Sequence, residues 1–144
     1  MTIEETQMEI IDEFALLEGD REMSVMYLID LGQKLPELPE DEKVEGNIVK
    51  GCQSKVWLTA AMNNDRVYFA ADSNTAVTKG LVSLLIRIFN GHLPDEIVSS
   101  ELTFMQRIGM DRFIGTQRSN GFAAMITRMK QYAAAFKKAS GIKA

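Results

Sequence analysis

Apolar residues recur at helical spacing through the first part of the chain. Over residues 3–18, Ile10, Phe14 and Leu17 fall on one face, and Thr2 with Glu5 can form a capping box. Gly19 and Asp20 end that helix and cap a second, which runs to about Gly32 with Met23, Tyr27 and Leu31 at i, i+4 and i+8. Pro36 and Pro39 then forbid regular helix across Leu35-Pro36-Glu37-Leu38-Pro39-Glu40. The rhythm next changes to alternation. Residues 56–62 put Val56, Leu58, Ala60 and Met62 on one face, and the returning residues 66–71 do the same with Val67, Phe69 and Ala71. Asn63-Asn64-Asp65 between them is a turn. Residues 44–49 predict a short, irregular first strand, weakened by Gly46.

Helical spacing then returns. Ser73 or Asn74 caps a helix that runs to Asn90-Gly91, and its apolar residues, from Val77 through Leu81, Leu85 and Phe89, wrap most of the circumference. Such a helix is central and buried. Pro94 in a first turn predicts a short helix through Val98, and residues 103–115 yield one short helix around Met105-Gln106-Arg107. The last helix starts near Ser119, with Phe122, Met125, Ile126, Met129, Ala133 and Phe136 as its core stripe. Lys137 and Lys138 suit its C-terminal end, and Gly141 follows as a stop. The predicted class is α+β: a two-layer single domain over residues 1–144, with a three-stranded antiparallel meander flanked by helices.

Composition narrows the function. The 144 residues can bury roughly 68–70% of their unfolded surface, so the chain needs no metal or disulfide for stability. A net charge of −4 argues against nucleic acid as a partner. The acidic start Met1-Thr2-Ile3-Glu4-Glu5 is unlike a signal peptide. The most apolar run, residues 81–89, is interrupted by Ser83 and Arg87 and falls short of the ~20 residues of a membrane span. A single cysteine cannot close an internal disulfide, which makes a cytoplasmic location the expectation.

That cysteine, Cys52, lies between the first two predicted strands in Lys50-Gly51-Cys52-Gln53-Ser54-Lys55. Free cysteines are most often inert core residues. Here Gly51 permits a turn that carries the thiol to a loop tip, Gln53 and Ser54 can hydrogen-bond a thiolate or persulfide, and Lys50 and Lys55 flank the loop. Their ordinary role would be solvated charge. His92 is the only histidine; after Gly91 at a helix end, a capping or surface role suits it better than service as the base of a Cys–His pair. One cysteine and one histidine cannot supply a zinc or iron–sulfur ligand set from one chain, so no cofactor or metal is expected. Gly109, Gly115 and Gly121 lack the strand-to-helix context of a phosphate loop. Glu40-Asp41-Glu42 reads as a solvated turn, and the nine methionines as core packing. Arg118 sits at the start of the last helix, where the helix dipole disfavours a cation, so it serves a partner or the loop, or is an inconsequential surface residue.

Five ordered blocks stand out over about residues 25–135: Tyr27-Leu28-Ile29-Asp30-Leu31-Gly32-Gln33-Lys34-Leu35-Pro36-Glu37-Leu38, then Gly51-Cys52-Gln53-Ser54 with Val56-Trp57, Asp72-Ser73, Lys79-Gly80-Leu81, and Arg118-Ser119-Asn120-Gly121. Together they resemble the SufE family of sulfur-acceptor proteins. The resemblance implies the fold shared with IscU-type scaffolds. It also implies that Cys52 accepts persulfide sulfur from a SufS-type cysteine desulfurase, stimulates that enzyme, and passes sulfur to an iron–sulfur scaffold complex. Gly51, Gln53 and Ser54 would support the loop, and Arg118 and Asp72 would meet the partner. The protein would be a stoichiometric carrier, a monomer or weak homodimer, rather than an enzyme. Scaffolds of this fold use three cysteines, and the single one here favours a carrier. Two alternatives stay open: a non-catalytic interaction module in which Cys52 is incidental, and a one-cysteine thiol peroxidase, for which no resolving cysteine is present.

Overall fold

The computed structural model describes residues 1–143. Its first helix, α1 (Ile3–Ala15), begins at the expected capping box: the Thr2 hydroxyl accepts from Glu5 N–H and the Glu5 carboxylate from Thr2 N–H. Asp20 caps α2 (Arg21–Gln33) through Met23 N–H. The buried face of α2 is offset from the expected one, of which Tyr27 and Leu31 pack against the core in part and Met23 does not. Ser24, Leu28 and Gly32 are buried, whereas Met23 and Met26 remain 51% and 60% exposed. The reason is a close crossing with α3 (Ala76–Phe89). A Cβ on Gly32 would lie 2.6 Å from Gly80 N, and one on Gly80 would run into Leu28 O. The glycines at the crossing let the two backbones approach, and no side chain fits at those two positions.

The sheet has two strands, β1 (Val56–Asn63) and β2 (Arg66–Ser73), paired antiparallel from Val56↔Ser73 to Asn63↔Arg66. Asn64 and Asp65 both take positive φ (51° and 69°), as a two-residue turn matching strand twist requires. The expected third strand over residues 44–49 does not form. Glu40–Glu42 and Glu45–Asn47 are 3₁₀ turns, and only Ile48 makes a bridge, to Trp57, with Val49 N–H donating to Val56 O at 2.8 Å. Pro39 and Gly46 keep this stretch from extending into a strand. The far edge of β2 is closed by the turn after α3. Asn90 Oδ1 accepts from Phe69 N–H at 2.7 Å, and His92 O accepts from Val67 N–H at 2.9 Å. His92 is therefore a buried residue and not a surface one.

Helix α3 is central, as its apolar circumference predicts. Leu81, Val82, Leu84, Leu85, Ile88 and Phe89 are buried in one continuous core with the inner faces of both strands. Thr75, one residue beyond the predicted caps, takes its N-cap position. Pro94 starts α4 (Pro94–Ser99). Residues 103–115 hold two short helices where one was expected, α5 (Phe104–Arg107) and α6 (Met110–Ile114), separated by Gly109 at φ 67°. Helix α7 (Thr116–Lys143) begins earlier than Ser119 and continues through Gly141. Its predicted stripe is correct: Phe122, Met125, Met129 and Ala133 are buried, with Ile126 and Phe136 packed against the core.

Two polar clusters hold the helices together. Arg87 of α3 binds Glu9 at 2.6 Å and Glu13 at 2.5 Å on α1, and the Tyr27 hydroxyl donates to Glu13. The Arg87 hydrogen bonds hold the Glu13 carboxyl below its ordinary range, while burial and Glu13 push Tyr27 up to about 12. Gln7 of α1 reaches across to α5. Its Nε2 donates to Glu101 O at 3.1 Å, and its Oε1 accepts from Thr103 N–H at 2.8 Å and Phe104 N–H at 3.3 Å.

Candidate functional site

Cys52 lies on the connection from Val49 to β1, and both arms of that connection are fixed. Upstream, Val49 is buried and bonded to Val56. Downstream, Lys55 N–H donates to Asn74 Oδ1 at 3.0 Å, Lys55 O accepts from Ser73 Oγ at 2.8 Å, and Thr75 Oγ1 donates to Ser54 Oγ at 3.0 Å. These bonds tie the loop to the β2–α3 corner. Between the arms only Lys50, Gly51, Cys52 and Gln53 are left to form the tip, and Gly51 turns it at φ 100°. The tip rests on α7. A Cβ on Gly51 would lie 3.1 Å from Ala124 Cβ, and one on Gly121 would lie 3.4 Å from Cys52 Sγ.

The half-buried Cys52 thiol borders a cavity of about 100 Å³ between the loop, α3 and α7. Thr78 and Leu81 come from α3, and Arg118, Gly121 and Met125 from α7; Gln53 and Ser54 complete the loop side. Cys52 Sγ donates to Gly121 O at 3.4 Å. Burial pushes the thiol pKa up. The site at rest therefore holds a neutral, sheltered thiol. The flanking lysines have the ordinary solvated role: both are exposed and neither lines this cavity, Lys50 bordering the neighbouring groove instead. His92 lines a separate cavity with Arg66, Arg87 and Glu96, so the structure forms no Cys–His pair. Among the described residues no three of His, Cys, Asp and Glu gather as a metal-ligand set.

Arg118 stands exposed on the rim, its Nη1 donating to Ile114 O at 3.4 Å. Asp72 is different: it is 4% exposed and occupied inside the chain. Its Oδ2 accepts from Leu38 N–H at 3.1 Å and its Oδ1 from Ser73 N–H at 2.8 Å, with Lys79 and Lys43 at 3.4 Å and 3.5 Å. Burial opposes its charge, but the two amides and Lys79 outweigh it and hold the carboxyl below its ordinary range. Asp72 thus clamps residues 38–43 to the end of the sheet, next to the arm of the Cys52 loop. Periodicity gave no sign that Thr78, Leu81, Gln117 and Met125 would line the cavity. Gly121 had a signal, a glycine one turn inside an amphipathic helix, and the loop crossing at that point explains it.

No helix among the described residues is long and apolar enough to cross a membrane. A family model described as SufE, Fe-S metabolism associated domain, matches residues 8–133. A SufE-like protein of Rhizobium meliloti is 36% identical over 130 residues, spanning 87% of this chain and 92% of that protein. One from Rhizobium etli is 34% identical over 130 residues, spanning 87% of each. Both are described as uncharacterized. The solution structure of a hypothetical protein from Thermus thermophilus superposes with a TM-score of 0.76 over 92% of this chain and 96% of that one. At 19% identity that likeness speaks for the fold alone. The resemblance carried by five short blocks extends over nearly the whole chain, which belongs to the SufE family, a domain associated with iron–sulfur metabolism.

Proposed function

We propose that this protein is a cytoplasmic sulfur carrier. It takes sulfane sulfur onto Cys52 from a SufS-type cysteine desulfurase and gives it to an iron–sulfur scaffold complex. The observation that carries this reading is the setting of the only cysteine: a thiol on a four-residue tip, half-buried beside a small cavity, with both loop arms pinned. A tip held this way can swing on its arms without disturbing the sheet. A cavity of about 100 Å³ is larger than a single water-sized void and has space beside Sγ for one more sulfur atom.

The step is an exchange at sulfur. The docked Cys52 gives up its proton to solvent or to a base of the partner's pocket, and the thiolate attacks the outer sulfur of the desulfurase persulfide. A new S–S bond forms on Cys52, the desulfurase S–S bond breaks, and the desulfurase cysteine leaves as thiolate. No net oxidation occurs. Burial favours the protonated thiol at rest and the Gly121 carbonyl holds it in place, so reaction needs the tip to leave the cavity. Removing sulfur from the desulfurase would free it for another turnover, which makes the carrier an activator.

Intact mass of the protein after incubation with a SufS-type desulfurase and cysteine should show one added sulfur, absent in Cys52→Ser. An unmodified mass at full desulfurase turnover would refute the carrier. Cys52→Ser should also lose stimulation of the desulfurase. Undiminished stimulation would instead support the rival reading, an allosteric module with an incidental thiol.

A further inference from the structure

Helix α7 presents two adjacent stripes over its first three turns. Arg118, Gly121 and Met125 face the Cys52 cavity. Ser119, Phe122, Ala123 and Ile126, rotated by one residue or about 100°, face a second cavity closed by Met105 of α5 and Met110 of α6. That cavity is about 330 Å³, and its lining is mostly apolar. An apolar cavity of about 150 Å³ admits a benzene ring, so this one has room for an indole or phenol side chain. Methionine walls adapt to such an occupant. A helix is only about 10–12 Å across, so a partner seated across α7 at Cys52 can reach this pocket.

The charge around the pocket states the chemistry of that partner. The chain carries a net charge of −4, yet Arg107, Arg112 and Arg118 are all exposed on the helices that frame the pocket. Among the described residues none of the three is in a salt bridge. Arg21 joins Arg112 in lining the next groove, which shares Asp111 with the pocket. Asp111 is a carboxylate on the pocket's own wall and no arginine lines it: Arg118 borders the Cys52 cavity, Arg112 the next groove, and Arg107 Nη1 donates to Met8 Sδ, so the cationic rim lies outside the pocket on the same three helices.

We propose that the pocket between α5, α6 and α7 receives an aromatic anchor of the sulfur donor, carried on an acidic segment that pairs with the rim arginines. The inference rests on the carrier reading and deepens it: the anchor would register the donor so that its persulfide meets the Cys52 tip. Buried aromatic side chains in desolvated pockets dominate protein–protein affinity, and rim charges govern association rate and its salt dependence.

The test uses the full chain and a SufS-type desulfurase, with docking read separately from transfer. Calorimetry measures Kd on a Cys52→Ser background, and desulfurase kinetics measure the apparent KM for the carrier. Ala123→Trp fills the pocket from an exposed position on α7. The double variant Arg107→Glu, Arg112→Glu reverses the rim and guards against a misfolded pocket variant. Each should keep the parental Cys52 alkylation rate and circular dichroism. Ala123→Trp should raise Kd and KM roughly 30-fold at unchanged kcat. The double variant should raise Kd at low salt and flatten its salt dependence. Parental Kd for Ala123→Trp overturns the anchor, and parental salt dependence for the arginine variant overturns the acidic segment. If the parent binds but never gains sulfur, the carrier reading fails, while the pocket still stands or falls by Kd. No binding of the parent overturns both.

Discussion

Replacing Gly80 by alanine should destabilise this protein, against the usual effect of that change in a helix. Within α3 the exchange of glycine for alanine favours the helix by about 1 kcal/mol. The crossing with α2 reverses the sign. The added methyl would collide with the carbonyl and side chain of Leu28, and the collision partner is backbone inside a helix, which cannot swing aside. The collision ends only if α2 and α3 separate, which loosens Leu28 and Leu81, both buried at the seam. Overpacking of this kind costs about 1–3 kcal/mol, so the net effect is at least neutral and up to about 2 kcal/mol unfavourable. For a domain of this size that is a fall of up to about 8 °C in Tm, since each kcal/mol shifts Tm by about 2–4 °C. Gly46→Ala is the control, because a Cβ there has nothing within 4 Å. Urea denaturation of both variants beside the parent decides the matter. A Gly80→Ala midpoint above the parent's would refute the argument that the glycine is required by backbone approach.

Two further outcomes follow from the polar clusters. Gln7→Leu keeps the volume but leaves the buried Phe104 N–H and its neighbour without an acceptor, which should cost about 2 kcal/mol; exchange protection of the Thr103 and Phe104 amides should fall, and unaltered protection would show that Gln7 is not their acceptor in solution. The folded state lowers the Glu13 pKa through Arg87, so the stability this pair contributes is full above the ordinary carboxylate value of about 4.3 and is lost as pH falls through the lower folded value. Arg87→Met should therefore flatten the loss of urea stability on acidification from pH 5 downward, and an equally steep loss in that variant would place the acid sensitivity elsewhere.

The sequence made the helices legible where side-chain pattern and capping agreed. Thr2 with Glu5, Asp20, and the full apolar circumference of α3 each pointed to one structure. It misled where backbone approach, not side-chain size, chose the buried face: Met23 is the more hydrophobic residue, but Ser24 and Gly32 fit the α2–α3 seam. The third strand failed for a related reason. Residues 44–49 have strand-like apolar residues, but pairing past Ile48 would need an extended chain that Gly46 and the 3₁₀ turns do not supply. Residues 103–115 concealed two helices because each is shorter than the two turns over which a period can be read.

The candidate site divides along the same line. Cys52 was visible because an unpaired thiol beside a glycine in a connection between strands is chemically conspicuous. The controls on it were not, because they come from residues distant in sequence whose individual types are ordinary. The Gly121 carbonyl accepts the thiol's hydrogen bond across 69 positions. Asn74, Ser73 and Thr75 fix the downstream arm, and Asp72 clamps the segment beside it to the sheet. These contacts give the loop two different stiffnesses. The downstream arm can move only if the β2–α3 corner opens and the upstream arm only if Val49 parts from Val56, whereas the tip is held by little more than one sulfur hydrogen bond and its contact with α7. A hydrogen bond from a thiol is weak, so releasing the tip costs little while the arms hold its two ends in place. On the proposed carrier reading, that difference in stiffness would let a half-buried thiol be sheltered at rest and delivered to a partner.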